Sequence, residues 1–270
     1  MNVLDVPVVK YSDEGFREVI EQVAVEEPLE IYIDNAPFYM TMRLPGEEVA
    51  LALGLCFTDG LITSMDDVSG ANYCSDISTN KVNVFLSDAR KKRPVRERPK
   101  QFTSYSSCGL CGSDMIRDLT ASIEKIEKTI TVPFADLFPM QDVMVQNQAA
   151  RRSTGATHAA SIFDGQGNFL SFSEDVGRHN GLDKAIGKLL FDGRLREAKI
   201  VHLSSRLSYE MVMKAARLRA EILTGVSAAT SLAIQVADAL GITLIGSLRE
   251  PRGNVFTHPQ RLGERRTANG

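Results

Sequence analysis

Residues 199–246 read KIVHLSSRLSYEMVMKAARLRAEILTGVSAATSLAIQVADALGITLIG. Two short apolar runs rich in branched residues, Lys199–Leu203 and Ile242–Gly246, flank two segments with helical periodicity. The periodicity predicts one helix over Ser208–Leu223 and a second over Ser227–Leu240, capped by Ser227. Strands that alternate with helices bury their apolar faces as a sheet covered by helices, so the fold class is α/β. Val255–Thr257 follows as a last short strand.

Upstream, Thr157–Phe163 and Phe169–Ser173 flank Asp164-Gly165-Gln166-Gly167-Asn168, a strong turn signal, and predict a hairpin. A helix over Asn180–Leu190 comes next. Met115, Ile116, Leu119, Ile123 and Ile126 space a helix over Asp114–Lys128, and another runs up to Ala150 after a loop holding Pro133 and Pro139. Nearer the start, Leu29–Ile33 and Phe38–Arg43 read as strands around a turn at Asp34–Ala36. Pro45-Gly46-Glu47-Glu48 opens an apolar helix reaching Leu61, and Val82–Leu86 is another strand. The basic stretch Asp88–Lys100 has two prolines and no interleaved aromatics, so it reads as a solvated loop rather than a nucleic-acid surface. It marks the expected boundary between a small N-terminal α/β unit, residues 1–100, and a main domain, residues 101–270.

The composition of the 270 residues is that of an ordinary globular protein, 43% apolar and 24% charged, with a formal net charge of −3. That length buries a core without staples. The balance provides no global field for nucleic acid or a membrane surface, so an anion site must be local. No leader pattern and no long apolar span is read, and the expected location is the cytoplasm. Four cysteines in such a chain are not a disulfide framework. Cys56 lies in an apolar run and is expected in the core; Cys74 receives no role.

Ser106-Ser107-Cys108-Gly109-Leu110-Cys111-Gly112-Ser113 is different. It pairs two cysteines among small residues just ahead of a helix, where backbone N–H groups favour a thiolate. Thiol exchange or persulfide transfer suits such a loop. Half of a zinc site and a thioredoxin-type pair are the alternatives, but no second close pair and no His-x-Glu accompany it. His158 ends the small-residue run Ser153–Thr157 at the mouth of a strand. Its weight comes from Glu174-Asp175-Val176-Gly177-Arg178-His179-Asn180, which enters a helix. There Glu174 reads as a capping group, whereas Asp175, Arg178 and His179 read as candidates for anion binding and proton transfer. Ser204-Ser205-Arg206-Leu207-Ser208 and Ser247-Leu248-Arg249-Glu250-Pro251-Arg252-Gly253-Asn254 follow strands, the place where open α/β sheets bind ligands. Their arginines suit phosphate, although neither loop is a Walker A or a GxGxxG motif.

Together these motifs resemble the formate dehydrogenase accessory sulfurtransferase family, FdhD. The resemblance runs from about Leu29 to Leu262 and is most specific at Ser107-Cys108-Gly109-Leu110-Cys111-Gly112, Thr154–Ala160, Glu174–Lys184 (EDVGRHNGLDK), Ser204–Glu210 and Asn254–Leu262 (NVFTHPQRL). It implies a cytidine-deaminase-like layered main domain without the deaminase zinc signature and with no permanent metal. It implies a homodimeric sulfurtransferase that takes persulfide sulfur from a cysteine desulfurase and passes it to the molybdenum cofactor, a bis-molybdopterin guanine dinucleotide bound as substrate, on behalf of formate dehydrogenase. By the same resemblance Cys108 carries the persulfide and Cys111 assists. The family's cofactor-binding loop falls on Ser247, Leu248, Arg249, Glu250, Pro251 and Arg252; His158, Asp175, Arg178 and His179, read from their own motifs, are expected as further cofactor contacts. The chain departs from the family pattern at Ala156, Ser247 and Glu250-Pro251. A cofactor-binding chaperone without sulfur transfer and a zinc deaminase relic are the rival readings.

Overall fold

The protein is described by a computed structural model covering residues 2–76, 79–93 and 112–263. Its N-terminal part is β1 (Val3–Ser12), β2 (Gly15–Ala24), β3 (Glu27–Ile33), β4 (Ala36–Arg43), α1 (Glu48–Thr58), β5 (Val68–Asp76), β6 (Thr79–Leu86) and the short α2 (Asp88–Lys91). After residue 111 come α3 (Gly112–Thr120), β7 (Val132–Pro133), α4 (Phe138–Asn147), α5 (Ala149–Thr154), β8 (His158–Phe163), β9 (Phe169–Asp175) and α6 (Arg178–Phe191). The chain continues through β10 (Ile200–Leu203), α7 (Tyr209–Arg217), β11 (Ile222–Gly225), α8 (Ser231–Leu240), β12 (Thr243–Arg249), β13 (Arg252–Val255) and β14 (Leu262–Gly263).

The main sheet has the order β13-β12-β11-β10-β8-β9, with β10, β11 and β12 parallel, β8 antiparallel to β10, and β9 antiparallel to β8. Alternation along each strand divides the residues between two faces. Ala160, Ile162, Val201, Leu203, Leu223 and Leu244 pack with the apolar stripes of α6, α7 and α8. Phe163, Ile200, Ile222 and Ile245 face Val132, Leu137 and Met140. The layered α/β main domain expected from the sequence is therefore present. So is the smaller N-terminal sheet, ordered β4-β3-β6-β5 and packed on α1.

α1 also crosses α6 at very short range. A Cβ on Gly54 would lie 1.8 Å from the Asp183 carbonyl oxygen, and one on Gly187 would lie 1.9 Å from that of Ala50. Only glycine permits backbones to approach so closely. The crossing is fixed by Thr58, which donates to Asp183 at 2.9 Å, and by Lys214 of α7, which pairs with Asp183 at 2.7 Å.

The expected helix Ser208–Leu223 ends at Arg217, and its last residues form the buried strand β11. The break falls at Arg219, which adopts φ 63°. Ile222–Gly225 is too short for its period to show within an apolar run. The next helix begins at Ser231, not Ser227, and its cap is Thr230, which accepts from the Ala233 amide. The helix expected over Asp114–Lys128 is shorter, Gly112–Thr120. The hairpin β1–β2 and strand β5 were not foreseen; Pro7 and the scattered charges of the first segment hide its pattern. The part of the basic stretch that is described is not a solvated loop. Ser87 caps α2, the buried Arg90 donates to the Leu61 carbonyl, and Arg93 pairs with Asp67.

Candidate functional site

β11 and β12 run parallel, so their carboxyl ends open side by side. The loop leaving β11, Val226–Thr230, the irregular end of β12 from Ser247 on, and the start of β13 enclose a polar groove of about 540 Å³. Ser227, Ser247, Arg249, Arg252, Gly253 and Asn254 line it. Ser247 adopts φ 53°, a conformation held by its amide donating to the Ser227 carbonyl at 2.9 Å. At Gly246 a Cβ would stand 3.0 Å from the Phe256 ring and 3.1 Å from the Ser227 carbonyl oxygen, so the strand end comes close to the opposite loop.

Of the six loop residues expected to bind, Ser247, Arg249 and Arg252 face the groove. Leu248 does not: it is fully buried in the apolar layer beneath the sheet and anchors the loop. Glu250 and Pro251, joined by a cis peptide bond, form the exposed turn between β12 and β13 and lie outside the lining. Sequence reasoning missed Ser227 because its position before an apolar periodic segment resembles a helix cap. Two guanidinium groups beside hydroxyls fit phosphate oxygens and a polar base edge. Among the described residues no group of three His, Cys, Asp or Glu is placed to hold a metal ion.

A cluster of basic and imidazole side chains lies at the carboxyl end of β10. His158 opens β8, Arg178 and His179 open α6, and Arg206 sits between β10 and α7. Burial lowers the His158 pKa, and the charges of Arg151, Arg178 and Arg206 lower it further. His179 falls to about 4, through burial first and then Lys214 and Arg178, against the opposing pull of Glu210. Both imidazoles are therefore neutral at pH 7. His179 Nε2 stands 4.0 Å from a Glu210 carboxylate oxygen.

Asp175, expected as a contact, is instead internal. It is 0% exposed, and its carboxylate accepts from the Leu44 and Gly177 amides, from Asn180 and from Lys184. These partners tie β9 and α6 to the end of β4. Glu174 behaves as read: it accepts from the Ala150 and Arg151 amides at the start of α5 and from Thr157. The specific run Asn254–Leu262 also proves mainly structural. Thr257 bridges the Ile242 carbonyl and Leu244 amide, and the buried Arg261 pairs with Glu221 at 3.0 Å. Cys56 is buried and Cys74 exposed on β5. Cys108 and Cys111 lie outside the described residues; the described chain resumes at Gly112 with the first turn of α3.

No helix among the described residues is long and apolar enough to cross a membrane. Residues 24–263 match the model of the FdhD/NarQ family. Among curated relatives, the sulfur carrier protein FdhD of Sulfolobus acidocaldarius is 35% identical over 97% of this chain and 99% of its own length. That of Sulfurisphaera tokodaii is 36% identical over 97% and 100%, and that of Mycolicibacterium paratuberculosis 36% over 90% and 92%. The fold is similar to the crystal structure of a putative formate dehydrogenase accessory protein from Desulfotalea psychrophila, with a TM-score of 0.78 and 23% identity over 97% of this chain and 100% of that one. With the family model matched over residues 24–263 and relatives of 35–36% identity matched over 90–97% of its length, the chain belongs to the FdhD/NarQ family.

Proposed function

We propose that this protein is a cytoplasmic sulfur carrier that accepts persulfide sulfur from a cysteine desulfurase on Cys108 and transfers it to the molybdenum cofactor, bis-molybdopterin guanine dinucleotide, for formate dehydrogenase. The observation that carries this reading is the Ser227/Ser247/Arg249/Arg252 groove at the carboxyl ends of β11 and β12, in a chain whose relatives are named sulfur carriers. In the first step the Cys108 thiolate attacks the outer sulfur of the donor persulfide, and the desulfurase thiolate leaves. Cys111 assists release of the sulfur. Arg249 and Arg252 grip the phosphates of the dinucleotide cargo. A homodimer belongs to the same proposal. It is supported by the outer face of the β1–β2 ribbon, where Val9, Tyr11, Phe16 and Ile20 are exposed, Tyr11 and Phe16 to 74% and 78%. A lone two-stranded ribbon is marginal in water and gains from a second surface.

The test is intact mass after incubation with a cysteine desulfurase and cysteine, on the wild type, Cys108→Ser and Cys111→Ser. The expected result is one added sulfur that disappears only without Cys108. No added sulfur on any form, with an active desulfurase, overturns sulfur transfer and favours the reading as a cofactor-binding chaperone. That second reading draws on the same groove, which needs no cysteine to hold its ligand.

A further inference from the structure

Three arginines, Arg151, Arg178 and Arg206, cluster with His158 and His179 at the carboxyl end of β10. Arg178 occupies the first position of α6, where the helix dipole disfavours a cation. The first turn of that helix holds no acidic residue, and Gly177 supplies no side-chain cap. Among the described residues neither Arg178 nor Arg206 forms an ion pair, and Arg178 Nε and His158 Nδ1 are buried without a hydrogen-bond partner. The Arg151 guanidinium donates to the Thr157 carbonyl, and Lys214 is committed to Asp183. Glu210 faces His179 and accepts from Ser208, which leaves the start of α7 without a side-chain cap as well; Glu174 and Asp175, beside His158 on β9, are committed to partners of their own. Converging guanidinium groups and two uncapped helix starts, in a chain of net charge −3, form a cradle for a compact anion.

We propose that His158, Arg178, His179 and Arg206 form a second anion subsite, distinct from the groove, that holds a tetrahedral oxyanion of the phosphate class. The neutral imidazoles supply a hydrogen bond each, and the guanidinium groups supply the charge. The inference rests on the cargo-binding reading in one respect: the subsite and the groove share a wall. The Leu207 amide donates to the Ala228 carbonyl at 3.1 Å, the Thr230 amide donates back to the Leu207 carbonyl at 3.0 Å, and a parallel bridge joins Leu207 to Ala229. The loop bearing Arg206 is thereby stitched to the loop bearing Ser227. A cargo with phosphates at separate points reaches both subsites.

The experiment is calorimetric titration of the whole protein with inorganic phosphate and, separately, with guanosine diphosphate. Wild type is compared with Arg178→Gln, Arg206→Gln and Arg249→Gln. Arg206 is exposed and makes no side-chain hydrogen bond among the described residues, so its variant keeps the fold. Phosphate binding at the second subsite is expected to weaken about 10-fold or more in Arg178→Gln and Arg206→Gln, whereas Arg249→Gln weakens phosphate at the groove alone and leaves the second subsite filled. Phosphate that binds all four forms equally, or none of them, overturns the subsite. Retention of guanosine diphosphate by Arg249→Gln overturns the groove reading and leaves the subsite standing. Phosphate titrated into nucleotide-saturated protein separates the sources. Competition shows that the nucleotide's own phosphate fills the subsite, and independent binding shows that a separate phosphate does; both support it.

Discussion

Lys184 Nζ lies 2.6 Å from the Asp175 carboxylate, and the two side chains are 1% and 0% exposed. Lys184 also donates to the Leu44 carbonyl at 2.8 Å. The pair stands where the end of β4 meets the start of α6, so it joins the N-terminal sheet to the main domain rather than reaching a ligand.

Replacing Asp175 by Ala strands a buried ammonium and is expected to destabilise the fold by about 3–5 kcal/mol. Replacing both residues by well-packed Leu and Met recovers most of that loss. Urea midpoints measure both effects. A selective loss of nucleotide affinity with an unchanged midpoint would instead make Asp175 a binding residue.

Gly54→Ala and Gly187→Ala each place a methyl group inside 2 Å of a carbonyl oxygen on the facing helix. Backbone cannot swing aside as a side chain can, so α1 and α6 must separate. The expected cost is about 3 kcal/mol or more, read as a fall in melting temperature. Gly70→Ala on β5, whose nearest neighbour would be the Phe85 ring at 4.0 Å, serves as the mild comparison.

His202 is fully buried, and neither ring nitrogen has a hydrogen-bond partner among the described residues. Burial lowers its pKa to about 4. Between the ordinary value near 6.5 and that figure, the unfolded chain takes up a proton that the folded chain refuses. Stability therefore falls as pH drops through this window, by on the order of 3 kcal/mol, and levels off below it. Urea midpoints from pH 7.5 to 4 on wild type and His202→Leu isolate this contribution. Equal slopes for the two proteins would remove it.

Arg261→Ala breaks a buried pair whose carboxylate, Glu221, also accepts from the Thr129 and Ile130 amides. A loss of about 3 kcal/mol or more is expected, without a change in the affinity of the folded protein for guanosine diphosphate. Parallel unfolding and binding titrations check this. Weakened nucleotide binding in still-folded protein would move this residue from the scaffold to the site.

The sequence announced the elements whose period or turn chemistry is strong. Asp164–Asn168 marks the β8–β9 turn, and Leu29–Arg43 shows the β3–β4 hairpin with Asp34 and Asn35 both at positive φ. β11 escaped because its four buried residues follow a helix with no glycine or proline between them, and Arg219 and Glu221 continue the helix's mixed charged and apolar pattern. Arg249 and Arg252 were legible as a basic loop beyond a strand. Ser227 was not, because its hydroxyl mimics a cap. Asp175 misled for the opposite reason: an acid within a motif resembles a ligand until its four partners are seen. Lys214 and Arg151 reach the second cluster from positions outside the motifs that begin or end their helices.

The α1–α6 crossing also sets an order of events at the ribosome. Ala50, Gly54 and Thr58 lie one turn apart on the face of α1 that meets α6. The partner helix emerges roughly 120 residues later, about 6–24 s of synthesis at 5–20 residues per second. Throughout that interval the N-terminal sheet has its own helix but not the surface that helix docks on. The nascent chain therefore carries an unfinished apolar seam until Gly187 has left the tunnel, and its vulnerability to aggregation and proteolysis is concentrated in those seconds.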